Sequence, residues 1–176
     1  MKLAGRLANS ALLLGAVACS DRPWREAVVG GERMLLGEIS PALLFDRYPE
    51  FRESFEEYAP DDETVETIRR VDGPLHVTLY LGTWCDDSKL YAPPLLRTLR
   101  EIGREDWTLQ IIALDRSKRD PEGRAERHGV TFVPTAIFHR NGIELGRIVE
   151  VPVETVEKDW LRILNAAHGG PETRNP

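Results

Sequence analysis

The hydrophobic pattern is densest in the second half of the chain. Leu75–Leu81 is apolar or β-branched at nearly every position, His76 aside, and such a run predicts a strand buried on both faces. Gly82 and Thr83 break it. From Asp86 to Gly103, the positions Leu90, Leu95, Leu96, Leu99 and Ile102 predict a helix, which Pro93-Pro94 must bend or split. Trp107–Leu114 reads as a second buried strand. Asp115–Pro121 is a charged loop, expected to be a solvated rim, with contact to a partner as the other reading. Pro121 opens a short helix that ends at His128-Gly129. Thr135–His139 and Glu144–Val149 form a hairpin through Arg140-Asn141-Gly142-Ile143. Val153–Ala167 closes the body as a helix, with Val156, Trp160, Leu161 and Leu164 inward. The order strand–helix–strand–helix–hairpin–helix over residues 74–167 implies an α/β fold, with a mixed central sheet and helices on both faces.

The first half reads as an N-terminal helical extension. Residues 19–73 hold a tether and a first helix within Asp21–Ser40, whose Trp24, Val28, Val29, Met34, Leu35 and Leu36 can pack on the body, although Gly30-Gly31 interrupts them. Leu44, Tyr48, Phe51, Phe55 and Tyr58 recur at helical spacing, and Pro49 marks the first turn of a helix to about Ala59. This aromatic stripe reads as a packed face, with a ligand groove as the alternative. Asp61-Asp62 caps a helix through about Val71, and Asp72-Gly73-Pro74 is a turn. Residues 168–176 are a polar tail.

Composition narrows the function. Apolar residues make up 41% and charged ones 30%, which is globular. A net charge of −6 argues against a nucleic-acid surface. His76, His128, His139 and His168 do not form a ligand spacing with Cys85, and neither a metal-type cysteine pair nor a glycine-rich phosphate loop is present, so no metal and no cofactor are expected. His128 is expected to be a surface or capping residue, with an approach to the Cys85 site as the other reading.

Residues 1–18 read as a signal peptide. Lys2 and Arg6 precede the short apolar run Leu12–Ala18. Ala16-Val17-Ala18-Cys19 resembles a bacterial lipobox, with alanine where leucine is usual. Cys19 would then be the lipidated first residue, and the protein would be a membrane-anchored lipoprotein of the bacterial envelope, facing the periplasm or exterior. The alternatives are a soluble secreted protein cut after Ala18 and an uncleaved anchor. Cleavage removes two basic residues and no acid, moving the net charge from −6 to −8. Attachment must therefore come from lipid rather than from attraction to anionic membranes.

Cys85 is the only thiol of the body, and it stands where a central strand hands over to a helix N-terminus. Backbone N–H groups and the helix dipole there favour a thiolate. Asp86 and Asp87 oppose it electrostatically, although they also suit the helix start.

Trp84-Cys85-Asp86-Asp87-Ser88-Lys89 resembles the active site of the thioredoxin family, Trp-Cys-x-x-Cys-Lys, with serine replacing the second cysteine. Pro93 falls where that family kinks its active-site helix. Gly129–Thr135 is similar to the segment carrying the family's cis-proline, and Asn141-Gly142 matches its late hairpin turn. The resemblance covers roughly Pro74 to Ala167 and implies a thioredoxin-like fold. It makes Cys85 the nucleophile and Ser88 its hydrogen-bond neighbour. It makes Val133–Pro134 a cis peptide facing the sulfur, with Trp84, Val133, Pro134 and Thr135 as the substrate platform. It also places the family's buried carboxylate at Leu79, and a groove glycine at about Glu150.

Ser88 cannot close a disulfide. A dithiol reductase cycle is thus excluded unless a resolving thiol comes from elsewhere. The expectation is a monothiol protein acting in thiol-disulfide exchange or isomerisation, with protein or peptide thiols and disulfides as partners and small thiols as a second class. The alternative is a redox-inactive peptide-binding or chaperone module. Whether residues 21–70 cover the groove, and the oligomeric state, are left open by the sequence.

Overall fold

The computed structural model describes residues 22–168; the expected signal peptide, Cys19 and most of the polar tail lie outside them. Within Asp21–Ser40, where a tether and a first helix are expected, residues 24–39 form a β-hairpin instead. Strand β1 (Trp24–Val29) pairs antiparallel with β2 (Glu32–Ile39), Val29 opposite Glu32 and Trp24 opposite Gly37. The cause is Gly30-Gly31. Both residues have positive φ, +62° and +84°, the conformation that a two-residue primed turn demands. What reads as an interruption of a helix is the turn of a hairpin. Met34, Leu35, Leu36 and Ile39 are buried, because β2 continues into the main sheet.

Three short helices follow: α1 (Pro41–Arg47), α2 (Pro49–Glu57) and α3 (Asp62–Arg69). Proline opens each of the first two, where its missing N–H costs nothing. Ser40 Oγ accepts from Leu43 N–H at 3.1 Å, and Asp61 Oδ1 from Thr64 N–H at 2.8 Å, capping α1 and α3. Leu44, Phe51 and Phe55 are buried in the core, so the aromatic stripe is a packed face.

The body then runs as its hydrophobic pattern predicts: β3 (Leu75–Leu81), α4 (Asp86–Ile102), β4 (Trp107–Ala113), a single turn α5 (Arg124–Arg127), β5 (Thr135–Arg140), β6 (Ile143–Val149) and α6 (Val156–His168). The six strands lie in the order β1-β2-β4-β3-β5-β6. Only β3 and β4 are parallel, joined by the crossover helix α4, while the other neighbours are antiparallel. A parallel pair with its crossover, followed by an antiparallel hairpin and a closing helix, is the thioredoxin-like arrangement. Pro93 and Pro94 do not split α4; both are buried inside one continuous helix. The burial of Ala92, Leu95 and Leu96 against the same core as Phe51 and Phe55 offsets the hydrogen bonds the prolines forgo.

Helices cover the two faces unequally. The main core takes Val77, Leu79 and Leu81 from β3 with side chains from α1, α2, α3, α4 and α6. The opposite face carries a smaller cluster of Tyr80, Ile112, Leu114, Ala125, Val130, Val133 and Ile137, under α5. The helices of residues 41–69 therefore pack with α4 and α6, and the hairpin before them extends the sheet edge, so the extension does not lie across Cys85. Among the described residues no helix is long and apolar enough to cross a membrane.

The second face also gathers histidines that sequence spacing keeps apart. His76 and His139 have ring centroids 6.2 Å apart, and His139 and His128 5.7 Å apart. His76 sits between the Thr108 and Thr78 hydroxyls, at 2.8 and 3.1 Å. His128 follows α5 as its C-cap, as expected of a capping residue, with Nδ1 2.7 Å from the Tyr80 hydroxyl. Burial pushes His76 and His139 below the ordinary imidazole range, and His128 adds to the shift in both. An imidazole with a depressed folded pKa binds fewer protons folded than unfolded. Its contribution to stability is present above about pH 6.5 and is lost as pH falls through the lower folded value. The urea midpoint should therefore decline between pH 7.5 and 5, and His139→Gln should flatten the decline. A pH-independent midpoint over that range would contradict the assignment.

Candidate active site

The site is built on the turn between β3 and α4. Cys85 is the N-cap residue of α4, with extended backbone (φ −96°, ψ 124°). Its N–H donates to Gly82 O at 3.0 Å, closing a tight turn, and its carbonyl accepts from Lys89 N–H at 3.1 Å. Two buried hydroxyls splint this turn. Ser88 Oγ accepts from Gly82 N–H at 3.1 Å, and Thr83 Oγ1 accepts from Leu35 N–H of β2 at 3.2 Å. The N-terminal hairpin thus reaches the base of the site through one hydrogen bond.

The half-buried sulfur faces the loop before β5. Cys85 Sγ, as a thiol, donates to Val133 O at 3.3 Å, and Val133–Pro134 is a cis peptide. The structure therefore brings Trp84, Cys85, Val133 and Pro134 together as the resemblance implies. Two expectations shift in detail. The hydrogen bond recorded for the sulfur goes to Val133 rather than to Ser88, whose fully buried hydroxyl serves the Gly82 backbone. Thr135 is also turned inward. It is 1% exposed and its Oγ1 donates to Phe132 O at 2.8 Å, so it holds the cis-proline loop in shape rather than offering a hydroxyl to a groove. The reason is its place as the first residue of β5, paired with both Tyr80 and Val149.

Trp84 is fixed from three sides. Its Nε1 donates to Leu114 O at 2.9 Å. Gly82 lies beneath the indole so closely that a Cβ there would stand 2.6 Å from Cε2. The charged loop after β4 covers the ring, with Arg116 Cζ 4.9 Å and Lys118 Nζ 5.3 Å from its centroid. That loop, expected to be a solvated rim, packs on the tryptophan instead. Nothing in the linear order marks Arg116 and Lys118 as neighbours of Trp84.

On the other side of Cys85 the surface is apolar. Phe132 is 52% exposed, Val151 54% and Val153 78%, and none of them stands out by spacing. Leu90, counted among the helix positions, is exposed near the α4 start. Glu150 takes a left-handed backbone (φ 55°) that suits a groove glycine, and its N–H donates to Pro134 O at 2.7 Å. Glu150 and Leu79 line one small cavity with Pro134 and Tyr91. Leu79 itself is buried in the core. No group of three or more potential metal ligands is arranged for an ion among the described residues.

No family model matches the chain, and no curated protein does so significantly. Solved structures do match. A protein of unknown function from Pseudomonas aeruginosa aligns at TM-score 0.50 and 18% identity, over 75% of this chain and 88% of that one. Fasciola hepatica thioredoxin aligns at TM-score 0.40 and 22% identity, over 57% of this chain and 86% of that one. Thioredoxin f2 of Chlamydomonas reinhardtii aligns at TM-score 0.38 and 20% identity, over 64% and 96%. The fold is thioredoxin-like. The topology together with the helix-start cysteine facing a cis-proline carries that statement.

Proposed function

We propose that this chain is an envelope protein that carries out thiol-disulfide exchange or isomerisation with one thiol, Cys85, on extended protein segments. The supporting observation is the placement of Cys85 Sγ at the start of α4, 3.3 Å from the carbonyl that precedes cis-Pro134. Cys85 is the one free cysteine among the described residues. Its thiolate attacks one sulfur of a substrate disulfide. A Cys85–substrate disulfide forms, and the other substrate sulfur leaves as a thiolate and takes up a proton. A different substrate thiolate, or a small thiolate, then attacks the substrate sulfur of the mixed disulfide, forming a new disulfide there and returning Cys85 as a thiolate. Isomerisation leaves the electron count unchanged and needs neither a second active-site thiol nor an oxidant. The Val133 backbone is the platform for the extended segment, in the manner of strand addition. Location in the envelope, with lipid on Cys19, rests on the N-terminal sequence.

The second reading is a redox-inactive peptide-binding or chaperone module. It is favoured by the apolar rim of Phe132, Val151 and Val153, and by a cleft of about 480 Å³ beside Leu90 and Tyr91. One experiment separates the two. The full chain and Cys85→Ser are incubated with a scrambled-disulfide substrate and a small thiol. Exchange reading predicts turnover that Cys85→Ser abolishes, with a mixed disulfide trapped on Cys85. Equal rates for the two proteins, or no turnover alongside retained peptide binding, would replace it with the binding reading.

A further inference from the structure

We propose that the loop Asp115–Asp120 and Trp84 form a carboxylate-selecting end of the groove. The preferred partner is then an extended segment with acidic residues on one side of its cysteine and apolar residues on the other. The proposal rests on the groove reading above and adds a partner chemistry to it.

The loop is a built element. Asp115 Oδ1 accepts from Ser117 N–H at 2.8 Å and Arg119 N–H at 2.9 Å. Asp115 N–H donates to Arg119 O at 3.0 Å, and Lys118 N–H donates to Asp115 O at 2.9 Å. Lys118 takes a left-handed φ of 60° within this turn, and its Nζ donates to Arg116 O at 3.2 Å. The turn thereby sets two cations over the indole beside Cys85. Exposed Arg116 shares its charge with half-buried Glu32 of β2. Arg119 is drawn off to Glu126 at 3.1 Å. Lys118 forms no ion pair among the described residues. On α4, Asp86 is offset by Lys89 at 3.1 Å, while Asp87 is solvated. Asp115 and Asp120 turn their carboxylates to backbone N–H groups of the loop and of α5, so the charges set over the Trp84 ring are the Arg116 guanidinium and the Lys118 ammonium.

Strand order sets the polarity. β4 lies on one side of β3 and β5–β6 on the other, so the loop after β4 and the residues after β6 flank Cys85 from opposite sides. The β6 side offers Phe132, Val149, Val151 and Val153 as exposed apolar contacts. It also carries the Glu150 carboxylate, which repels an acidic segment from that end. A chain laid along Val133 with its cysteine over Cys85 meets cations in one direction and apolar side chains in the other. Exposed pairs of this kind contribute modest affinity and strong orientation.

The test uses cysteine-to-serine peptides with two glutamates before the serine and two valines after it. Comparison peptides carry glutamine in place of glutamate, or the reverse order. Binding to full-chain Cys85→Ser is read by fluorescence anisotropy at low and high salt. The glutamate peptide should bind about three- to tenfold tighter than the glutamine peptide at low salt, and high salt should erase the gap. Arg116→Gln/Lys118→Gln should erase it as well, and Lys118→Glu should invert it. Equal affinities in the parent, a preference that survives the double substitution, or no binding of the glutamate peptide would overturn the proposal. Exchange is scored separately with the cysteine versions of the peptides on the Cys85 protein. Discrimination in binding without any exchange would defeat the exchange reading and leave this one standing.

Discussion

Trp160→Ala should cost about 3–5 kcal/mol of folding stability, the range for removing a large buried aromatic from a core. Trp160 is fully buried on α6. It stacks on Trp107 of β4, with ring centroids 5.7 Å apart and planes inclined by 23°, and meets Phe138 of β5 at 4.9 Å. It therefore joins the closing helix to two strands that flank β3. Truncation leaves a cavity that neither strand can fill, because both are held by their sheet registers. The same helix carries Glu157, whose buried carboxylate accepts from the Tyr58 hydroxyl at 2.6 Å and from Asp61 N–H at 3.2 Å. Loosening α6 thus also strains its link to the N-terminal helices. A urea titration should show a lower midpoint with an unchanged slope. Trp160→Phe supplies the contrast. Trp160 Nε1 is buried without a partner, so the smaller ring relieves an orphan donor while losing some packing, and should cost about 1 kcal/mol. A Trp160→Ala protein within about 1 kcal/mol of the parent would mean that the stack does not hold the helix.

The expectations that succeeded come from local chemistry. A continuous apolar run, Leu75–Leu81, followed by Gly82-Thr83 and a helical pattern places Cys85 at a helix start without any knowledge of partners. Asn141-Gly142 marks a hairpin turn by itself, and Val133-Pro134 sits in a segment whose resemblance carries the cis bond. The expectations that failed depend on distant contacts. The helix expected within Asp21–Ser40 is a hairpin, because an apolar cluster split by two glycines fits a hairpin as well as an interrupted helix. The pairing of β2 with β4 across some 70 residues decides it. The directions of Ser88 and Thr135 are similar cases. Residue type says that each can hydrogen-bond, but only the closed turn shows that Gly82 N–H and Phe132 O are the partners. Arg116 and Trp84 are joined by the third dimension alone, as are the three histidines of β3, β5 and the α5 cap.

Gly82→Ala should lower stability by about 2–4 kcal/mol, from overpacking and a lost hydrogen bond, and on the proposed exchange reading it should slow exchange at Cys85 by roughly tenfold through a misplaced sulfur. The glycine is needed for space, not for an unusual backbone. An added Cβ would stand 2.6 Å from Trp84 Cε2, 2.8 Å from Nε1 and 2.9 Å from Cζ2. A rigid ring cannot give way by rotating one end, as a flexible side chain does. To yield, the indole must leave Leu114 O, its hydrogen-bond acceptor at 2.9 Å, and slide from under Arg116 and Lys118. The alternative is for Gly82 to move, which breaks its N–H bond to Ser88 Oγ and its carbonyl bond from Cys85 N–H. Either route disturbs the turn that aims the sulfur. Acrylamide quenching should report an indole newly open to solvent, alongside the urea midpoint and the exchange rate. The decisive control is Trp84→Ala. In that background the added Cβ meets no ring, so Gly82→Ala should become nearly neutral, giving a coupling energy of a few kcal/mol in the double-mutant cycle. Additive costs would show that the glycine serves the backbone rather than the tryptophan, and that Trp84 does not set the geometry of the thiol.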